Sequence, residues 1–581
     1  MAKSETTINR NSEGGKAASG GGSHSAHQPV ENYESLNAII RERVRQSWDL
    51  MAFSDMGGQN YRYRDVAQEI EKIRLLFEAA GVVPGDKVAI CGKNSSNWAV
   101  TFLACLTSGV VAVPILHEFK PEVVHHLVNH SGAKLLFVDE HIWQQLDPNE
   151  LPSLVGALYI SEFGMPLSRK TALTDCRNNI NERFGTKYPY AFEKENFDVH
   201  PDAPEELAII NYTSGSTGMS KGVMLPYRSI WSNIRFCIDN IDYLHAGDGM
   251  VNMLPLAHLY GMVVEMLYPF CIGMNCHFLT RLPSPKVIMQ AFAEVRPKLI
   301  ITVPLIIEKI VKSKVFPLLD KPMMKVMMHV PFLDDKLYGR IKESLLNVFG
   351  GQVHQIIIGG AALNKEVGKF LKRIGFPITV GYGMTECGPL VTYAPASETK
   401  SGTCGRIVTR MEMKVNSEDP AHVPGDLWVR GMNVMQGYYN NDEATREVMM
   451  GDGWMNTGDM CTIDADGFLT ISGRSKTMIL GPSGQNIYPE EIEQVLNNQP
   501  YVAESLVIDD NGDLVALVVP DAELLESEHI DAAQLDSIMA ENLAALNKEM
   551  PAYSKVKRME LRQEEFEKTP KRSIKRFLYQ R

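Results

Sequence analysis

From Asn32 onward the chain alternates short apolar runs with longer amphipathic ones, and that order leaves few architectures open. Lys87–Cys91 (KVAIC) reads as a strand, Trp98–Thr107 as a helix, and Val110–Leu116 and Leu135–Val138 as further strands. Ser35–Ser47 and Val66–Ala80 carry apolar residues at helical spacing. Strands separated by helix-length segments predict βαβ units and a parallel sheet. The same grammar returns later. Leu299–Val303 leads into the helix Leu305–Lys312, and Val353–Ile358 leads through Gly359–Gly360 to Lys365–Ile374. After about Met411 short strands with turn signals take over, at Gly425–Arg430, Phe468–Ile471 and Met478–Leu480. Ala503–Asp509 and Asp513–Val519 flank Asp510–Asn511–Gly512, a hairpin signal because Asn-Gly tolerates positive φ. Helices at Glu490–Asn497 and Asp531–Asn547 complete a small α+β unit. The expected fold is α/β, with a large N-terminal body of several subdomains and parallel-rich sheets over residues 32–474. A smaller α+β unit of about 105 residues, 475–581, closes the chain.

Charge and cysteine usage narrow the partners. Lys and Arg total 58 against 70 Asp and Glu, a net charge of −12. Binding to a phosphate backbone needs clustered cations, so nucleic acid is not an expected partner. The best candidate membrane run, Thr101–Leu116, is too short and contains Gly109 and Pro114, so no transmembrane segment is expected. Apolar stretches such as Met262–Met274 and Val326–Phe332 read as core, with a lipid tunnel or a peripheral membrane-facing surface as the alternative. The nine cysteines are scattered without a CxxC, as in a reduced cytoplasmic protein. Residues 1–31 are polar and rich in Gly and Ser, and contain no signal-peptide core. They are expected to be a disordered tail outside the fold.

Tyr212–Gly222 (YTSGSTGMSKG) is the most informative segment. Small residues there let backbone N–H groups face anionic oxygens. Thr213, Ser214, Ser216 and Thr217 add hydroxyl donors around Gly215 and Gly218, and Lys221 adds a fixed positive charge. That composition makes a polyphosphate cradle. It is not a Walker loop, because counting from Gly215 the second glycine falls on Ser220 and the final hydroxyl on Gly222. The segment also lies between two strand-like runs, Leu207–Tyr212 and Val223–Leu225, rather than between a strand and a helix.

With this loop in view, the chain resembles the acyl-adenylate-forming (AMP-binding) enzymes, which include acyl-CoA synthetases and nonribosomal peptide adenylation domains. The resemblance runs from about Leu36 to the C-terminus and rests on motifs in the expected order. After the loop come GGAAL at Gly359–Leu363, GYGMTE at Gly381–Glu386 and GDLWVRG at Gly425–Gly431. GWMNTGD at Gly453–Asp459 and GRSKTMILGPSGQNIYPEEIE at Gly473–Glu493 follow. The resemblance implies ATP, Mg²⁺ and CoA as cofactors and a carboxylic acid, a fatty acid foremost, as substrate. The acid would be activated to acyl-AMP with release of pyrophosphate and then passed to CoA. It also implies that the C-terminal unit is a mobile lid hinged at Lys476.

The same resemblance assigns roles to individual residues. Tyr382 and Gly383 line the nucleotide, Thr385 hydrogen-bonds near the α-phosphate, and Glu386 helps to hold Mg²⁺. A carboxylate after a Gly-containing turn suits a hard cation that keeps most of its waters. Gly360, Ala361 and Ala362 follow a strand, and their small side chains let a planar base approach the backbone. Asp459 suits two ribose hydroxyls as an acceptor-only carboxylate, although an Asx-turn role would also account for it. Arg474 adds a second ribose or phosphate contact. Gly484 could let the pantetheine thiol pass close to the backbone. His258, in PLAHLYG, lies where relatives place an acyl-pocket residue, although a core histidine is the common alternative. Relatives that activate amino acids carry an acid near this point to pair with the ammonium. Here Pro255–Val264 contains none, and Glu265 is the first. An unpaired ammonium is costly in an apolar pocket, so a plain carboxylic acid is expected.

One position departs from the family. Aligning the tail EKTPKRSIKRFLY puts Ser573 where relatives carry a catalytic lysine. Lys571 and Lys575 both lie within two residues and have the reach to compensate. Three readings therefore stand: an acyl-CoA synthetase using Lys571 or Lys575, an acyl-AMP ligase that loads a carrier protein, or an ATP- or acyl-AMP-binding protein with impaired catalysis.

Overall fold

The computed structural model describes residues 7–9, 33–214, 220–280, 284–311, 315–316, 333–480, 486–569 and 574–581. Its largest sheet has eight strands. In spatial order they are Gly437–Tyr438, Ser220–Pro226, Leu207–Ser214, Val111–Ile115, Lys87–Cys91, Leu135–Val138, Gly156–Tyr159 and Leu167–Ser168. The five from Leu207–Ser214 to Gly156–Tyr159 run parallel, each to its neighbour, as the alternating sequence predicts. Their side chains are almost all buried because helices cover both faces. The helix Tyr63–Ala80, packed against the covering helix Ser96–Leu106, places Val66, Ile70, Ile73 and Phe77 on one stripe. It ends at Gly81 in the left-handed region (φ 72°), which lets the Gly81 N–H reach the carbonyl of Glu78.

A second parallel sheet joins Leu299–Thr302, Gln355–Ile358 and Ile378–Val380, with its own core around Ile300, Phe292, Ile356 and Leu371. The helix after Leu299–Thr302 spans Pro304–Ile310. A five-stranded antiparallel sheet follows, built on Met411–Asn416, Gly425–Gly431, Met455–Ile463 and Leu469–Arg474. Its outermost strand is Thr7–Asn9, which pairs with Met411–Asn416, so part of the stretch read as tail lies against the body. The remainder of that tail, residues 1–6 and 10–31, lies outside the described residues.

Beyond Arg474 the chain turns through residues 475–477 and builds a unit with separate cores. Val502–Asp510 and Asp513–Pro520 form a hairpin joined in parallel by Arg558–Leu561. Asn511 (φ 55°) and Gly512 (φ 87°) make its two-residue turn, as the Asn-Gly signal predicts. Helices Pro489–Leu496 and Ala532–Glu549 pack on the sheet through Ile492, Leu496, Met539 and Leu546. All nine cysteines are free thiols, and only Cys404 is not fully buried. Among the described residues no helix is long and apolar enough to cross a membrane, and no His, Cys, Asp or Glu cluster could hold a metal ion by itself.

Candidate active site

The Ser/Thr/Gly segment is the tip of an antiparallel hairpin. Thr213 pairs with Lys221 and Ser214 with Ser220, which sets the register of both flanks. Gly215, Ser216, Thr217 and Gly218 lie outside the described residues. The hairpin base is fixed from three sides. The Tyr212 ring is buried and its hydroxyl lies 2.7 Å from His130 Nδ1. Asn211 Nδ2 donates to the Ala257 carbonyl at 2.8 Å, so the strand beside the cradle holds the residue before His258. On the far side, the Tyr439 N–H donates to the Gly222 carbonyl at 2.7 Å.

Lys221 and Glu386 meet through a residue that the motifs did not single out. The Lys221 ammonium sits 4.9 Å from the centroid of the Tyr438 ring. The Tyr438 hydroxyl donates to Glu386 Oε1 at 2.9 Å. Lys221 and Glu386 thus share one aromatic spacer. Burial, followed by the Glu386 charge, pushes the Tyr438 phenol far above its usual range, so it remains a donor. Tyr438 was invisible to motif reading because it ends a loop more than 200 positions from the hairpin; strand pairing of Val223 with Tyr438 brings it there. Thr385 and Glu386, both half-buried, open a short 3₁₀ turn, Thr385–Cys387. Half-buried carboxylate oxygens are the donor class that Mg²⁺ takes alongside nucleotide phosphates, so Glu386 fits that ion.

A second constellation surrounds Asp459. This carboxylate is 3% exposed and lies opposite Arg474 across two antiparallel strands. Arg474 Nε donates to Asp459 Oδ1 at 2.7 Å, and the Tyr382 hydroxyl donates to Oδ2. The Asp459 N–H meanwhile donates to Thr457 Oγ1 at 3.1 Å. Burial raises the Asp459 carboxyl above its ordinary range, while Arg474 and the Tyr382 hydroxyl act in the opposite sense. Tyr382 is pushed far up, first by burial and then by the Asp459 charge, and stays a neutral donor. The structure therefore brings Tyr382, Asp459 and Arg474 into one cluster.

Parallel pairing of Ile358 with Val380 sets the two glycine motifs side by side, and the Gly381 N–H donates to the Ile358 carbonyl at 2.9 Å. Gly360, Ala361 and Ala362 are exposed at this carboxyl end, where ligands gather in open α/β sheets. Gly359 beneath them is pinned, because a Cβ there would meet the Tyr260 ring at 2.9 Å. Tyr260 opens a π-helical stretch, Tyr260–Leu267, a geometry that is common at functional sites. Half-buried His258 lies just before it, with its N–H donating to the Pro255 carbonyl at 3.0 Å. Asn94 clamps the same segment through the Leu254 carbonyl and the Leu256 N–H.

Glu265 has become framework. It is fully buried, and its Oε2 accepts the N–H groups of Met253 and Leu254 at 3.1 and 2.9 Å. Burial raises its carboxyl well above the usual range, the Met253 and Leu254 N–H groups act in the opposite sense, and its place in the framework keeps it from facing a substrate ammonium.

Lys476 is exposed in the turn after Arg474. Ser475 anchors that turn, its N–H donating to the Gly458 carbonyl at 3.0 Å and its hydroxyl to Asp426 at 2.5 Å. Gly484 lies outside the described residues, between the paired strands Ile479–Leu480 and Asn486–Ile487. Lys571 and Ser573 also lie outside them. Lys575 is described, and its ammonium is 3.1 Å from Glu567 Oε2.

Comparison with known proteins agrees with this geometry. The "AMP-binding enzyme" family model matches residues 40–439, and the "AMP-binding enzyme C-terminal domain" model matches residues 476–580. The chain is 28% identical over 567 residues to "Long-chain-fatty-acid--CoA ligase" of Escherichia coli O157:H7, covering 92% of this chain and 95% of the relative. It is also 28% identical over 557 residues to "Long chain acyl-CoA synthetase 7, peroxisomal" of Arabidopsis thaliana, covering 89% of this chain and 75% of that one. Among solved structures, the anthranilate CoA ligase AuaEII in complex with anthranoyl-AMP superposes with a TM-score of 0.74 at 20% identity, covering 94% of this chain and 97% of that one. ATP-bound MatB from Rhodopseudomonas palustris gives 0.72 at 22% identity, covering 94% and 98%. The fold, the order of the motifs and the match across both units lead to one conclusion: the chain belongs to the AMP-binding enzyme family.

Proposed function

We propose that this enzyme activates a carboxylic acid, foremost a fatty acid, with ATP and transfers the acyl group to CoA. In the first step a carboxylate oxygen attacks the α-phosphorus, the bond to the bridging oxygen breaks, and pyrophosphate leaves. In the second the CoA thiol attacks the acyl carbonyl, the C–O bond to AMP breaks, and the thiol proton passes to solvent. Phosphoryl transfer of this kind depends mainly on positioning and on charge stabilisation.

The observation that carries the reading is the meeting of two clusters around the Gly381–Glu386 segment. Tyr382 joins it to Asp459 and Arg474, while Glu386 joins it through Tyr438 to Lys221. Asp459 would hold the ribose hydroxyls, Gly360–Ala362 the base, and Lys221 with the hairpin tip the β- and γ-phosphates. Thr385 would hold the α-phosphate. Mg²⁺, when bound at Glu386, would offset charge on the phosphate oxygens. His258 would border the acyl group. The burial of Glu265 and the two relatives named for long-chain fatty acids both support an uncharged acyl chain.

The test is acid-dependent pyrophosphate release from acetate to palmitate, and with benzoate, each with and without CoA. Release that rises with chain length, and acyl-CoA as product, are expected. Release with benzoate alone would overturn the fatty-acid assignment. Ser573 favours one further reading, a carrier-protein acceptor, because the family's lysine is absent there. Acyl-AMP that accumulates despite CoA would point that way.

A further inference from the structure

Two segments of the tail, before residue 570 and after residue 573, form a small antiparallel pairing that includes Lys575. Lys568 and Ile574 bridge across it, and the Lys575 N–H donates to the Glu567 carbonyl at 2.8 Å. Its outer side is packed by the Phe566 and Tyr579 rings, 5.2 Å apart, and the Tyr579 hydroxyl accepts the Glu567 N–H at 2.7 Å. Arg576 points the other way. Its guanidinium donates to Glu493 Oε2 and lies 3.6 Å from Glu490 Oε1, both on the helix Pro489–Leu496.

Those two carboxylates lead to different places. Glu493 is 7% exposed, and its second oxygen accepts the Val507 N–H at 2.7 Å, which fixes it to the strand Val502–Asp510 of the C-terminal unit. Glu490 Oε1 accepts the Thr477 hydroxyl at 2.5 Å, one residue beyond Lys476. The same helix touches the body, since Gln494 Nε2 donates to the Leu363 carbonyl at 3.0 Å, at the end of the GGAAL segment. One guanidinium therefore connects the tail pairing to the turn on which the C-terminal unit would swing.

We propose that Arg576 is a positioning residue of acid activation: through Glu493 and Glu490 it locks the tail pairing to the hinge turn, so that Lys575 and the hinge move as one body. The inference rests on the acid-activating function proposed above. Arg576 Nη2 lies between both carboxylates, and a planar guanidinium held there restricts orientation more than a flexible lysine ammonium would. The predicted signature is selective. The thiol step needs the hinge and the acyl-AMP but not the tail lysine, so only the first half-reaction depends on the lock.

The test uses the full chain with R576Q, R576K and E493Q. ATP–pyrophosphate exchange reads acid activation, and thioester formation from prepared acyl-AMP and CoA reads the second step. R576Q is expected to lower the exchange kcat tenfold or more, with the KM for ATP and the thioester rate each within threefold of wild type. R576K is expected to recover part of the loss. Glu493 supplies a pH readout. It faces Arg576 from the tail, Glu490 on its own helix and the Val507 N–H from the strand, and burial pushes its carboxyl up to about 7. Wild-type exchange should therefore climb through neutrality as the Arg576 partner ionises, while E493Q should stay flat at the low-pH rate. Equal loss in both half-reactions, or unchanged exchange in R576Q, overturns the inference. Amide hydrogen exchange decides whether the lock exists regardless of activity. R576Q should deprotect residues 475–478 and 574–579 together, and unchanged protection at both also overturns it. A wild type without exchange on any acid instead defeats the functional reading.

Discussion

Asp459 accepts from Arg474 and Tyr382 while almost wholly removed from water. D459N keeps the shape but turns an acceptor-only group into one that also donates, toward the donors around it. The expected result is a tenfold or greater rise in the KM for ATP. The accompanying loss of stability is expected to be about 1 kcal/mol, below the 3–5 kcal/mol of a fully buried pair, because the Arg474 side chain is 55% exposed. ATP titration and thermal melts of D459N measure the two effects. Glu265 makes the opposite case. Its folded-state carboxyl is raised above the unfolded value, so folding takes up a proton once the pH exceeds the unfolded value of about 4.3. The protein should therefore lose stability as pH rises above that value. E265Q should flatten the slope, whereas E265A should cost about 1–3 kcal/mol for each N–H left without its acceptor. Denaturant unfolding from pH 4 to 8 checks both signs. Asp459, Glu386 and Tyr382 were legible because they sit inside contiguous motifs. Tyr438, Asn211 and the burial of Glu265 were not, since each acquires its role only through a contact across the sheets.

At the scale of elements, the parallel strands and the Asn511–Gly512 turn followed from local pattern, because strand burial and positive φ leave direct marks on residue choice. The stretch Tyr260–Leu267 did not. It is buried on all sides and, Glu265 apart, largely apolar, so periodicity carries no information about whether its turns are α or π. Its consequence is measurable at Gly359. G359A sets a methyl carbon 2.9 Å from the Tyr260 ring, which is held in turn by the Ile357 carbonyl at 3.2 Å. Overpacking of this kind is expected to cost about 1–3 kcal/mol and to raise the KM for ATP through the displaced Gly360–Ala362 segment. Y260F removes only the hydroxyl and should cost about 1 kcal/mol or less. Melts and nucleotide titrations of the two variants separate crowding from hydrogen bonding.

For the whole molecule, separate cores on either side of residues 475–477 make that turn the natural place for the chain to yield. Within residues 33–569, limited trypsin treatment is expected to cut early after exposed Lys476, separating the body from a fragment that starts at Thr477. ATP with a bound acid should slow the cut if the Arg474–Asp459 pair tightens on nucleotide; an unchanged rate counts against coupling between hinge and site. A different property follows from the hairpin that carries the Ser/Thr/Gly cradle. Many phosphate sites rest on the first turn of a helix, whose macrodipole contributes about half a positive charge that is built into the backbone. Here both flanks of the tip are strand, with Thr213 opposite Lys221 and Ser214 opposite Ser220. Strand dipoles alternate and nearly cancel, so the described flanks contribute one formal positive charge to the proposed cradle, the Lys221 ammonium. Mobile ions screen such a point charge within about 8 Å at physiological ionic strength. The grip on a triphosphate, and equally the release of pyrophosphate, should therefore be unusually responsive to salt.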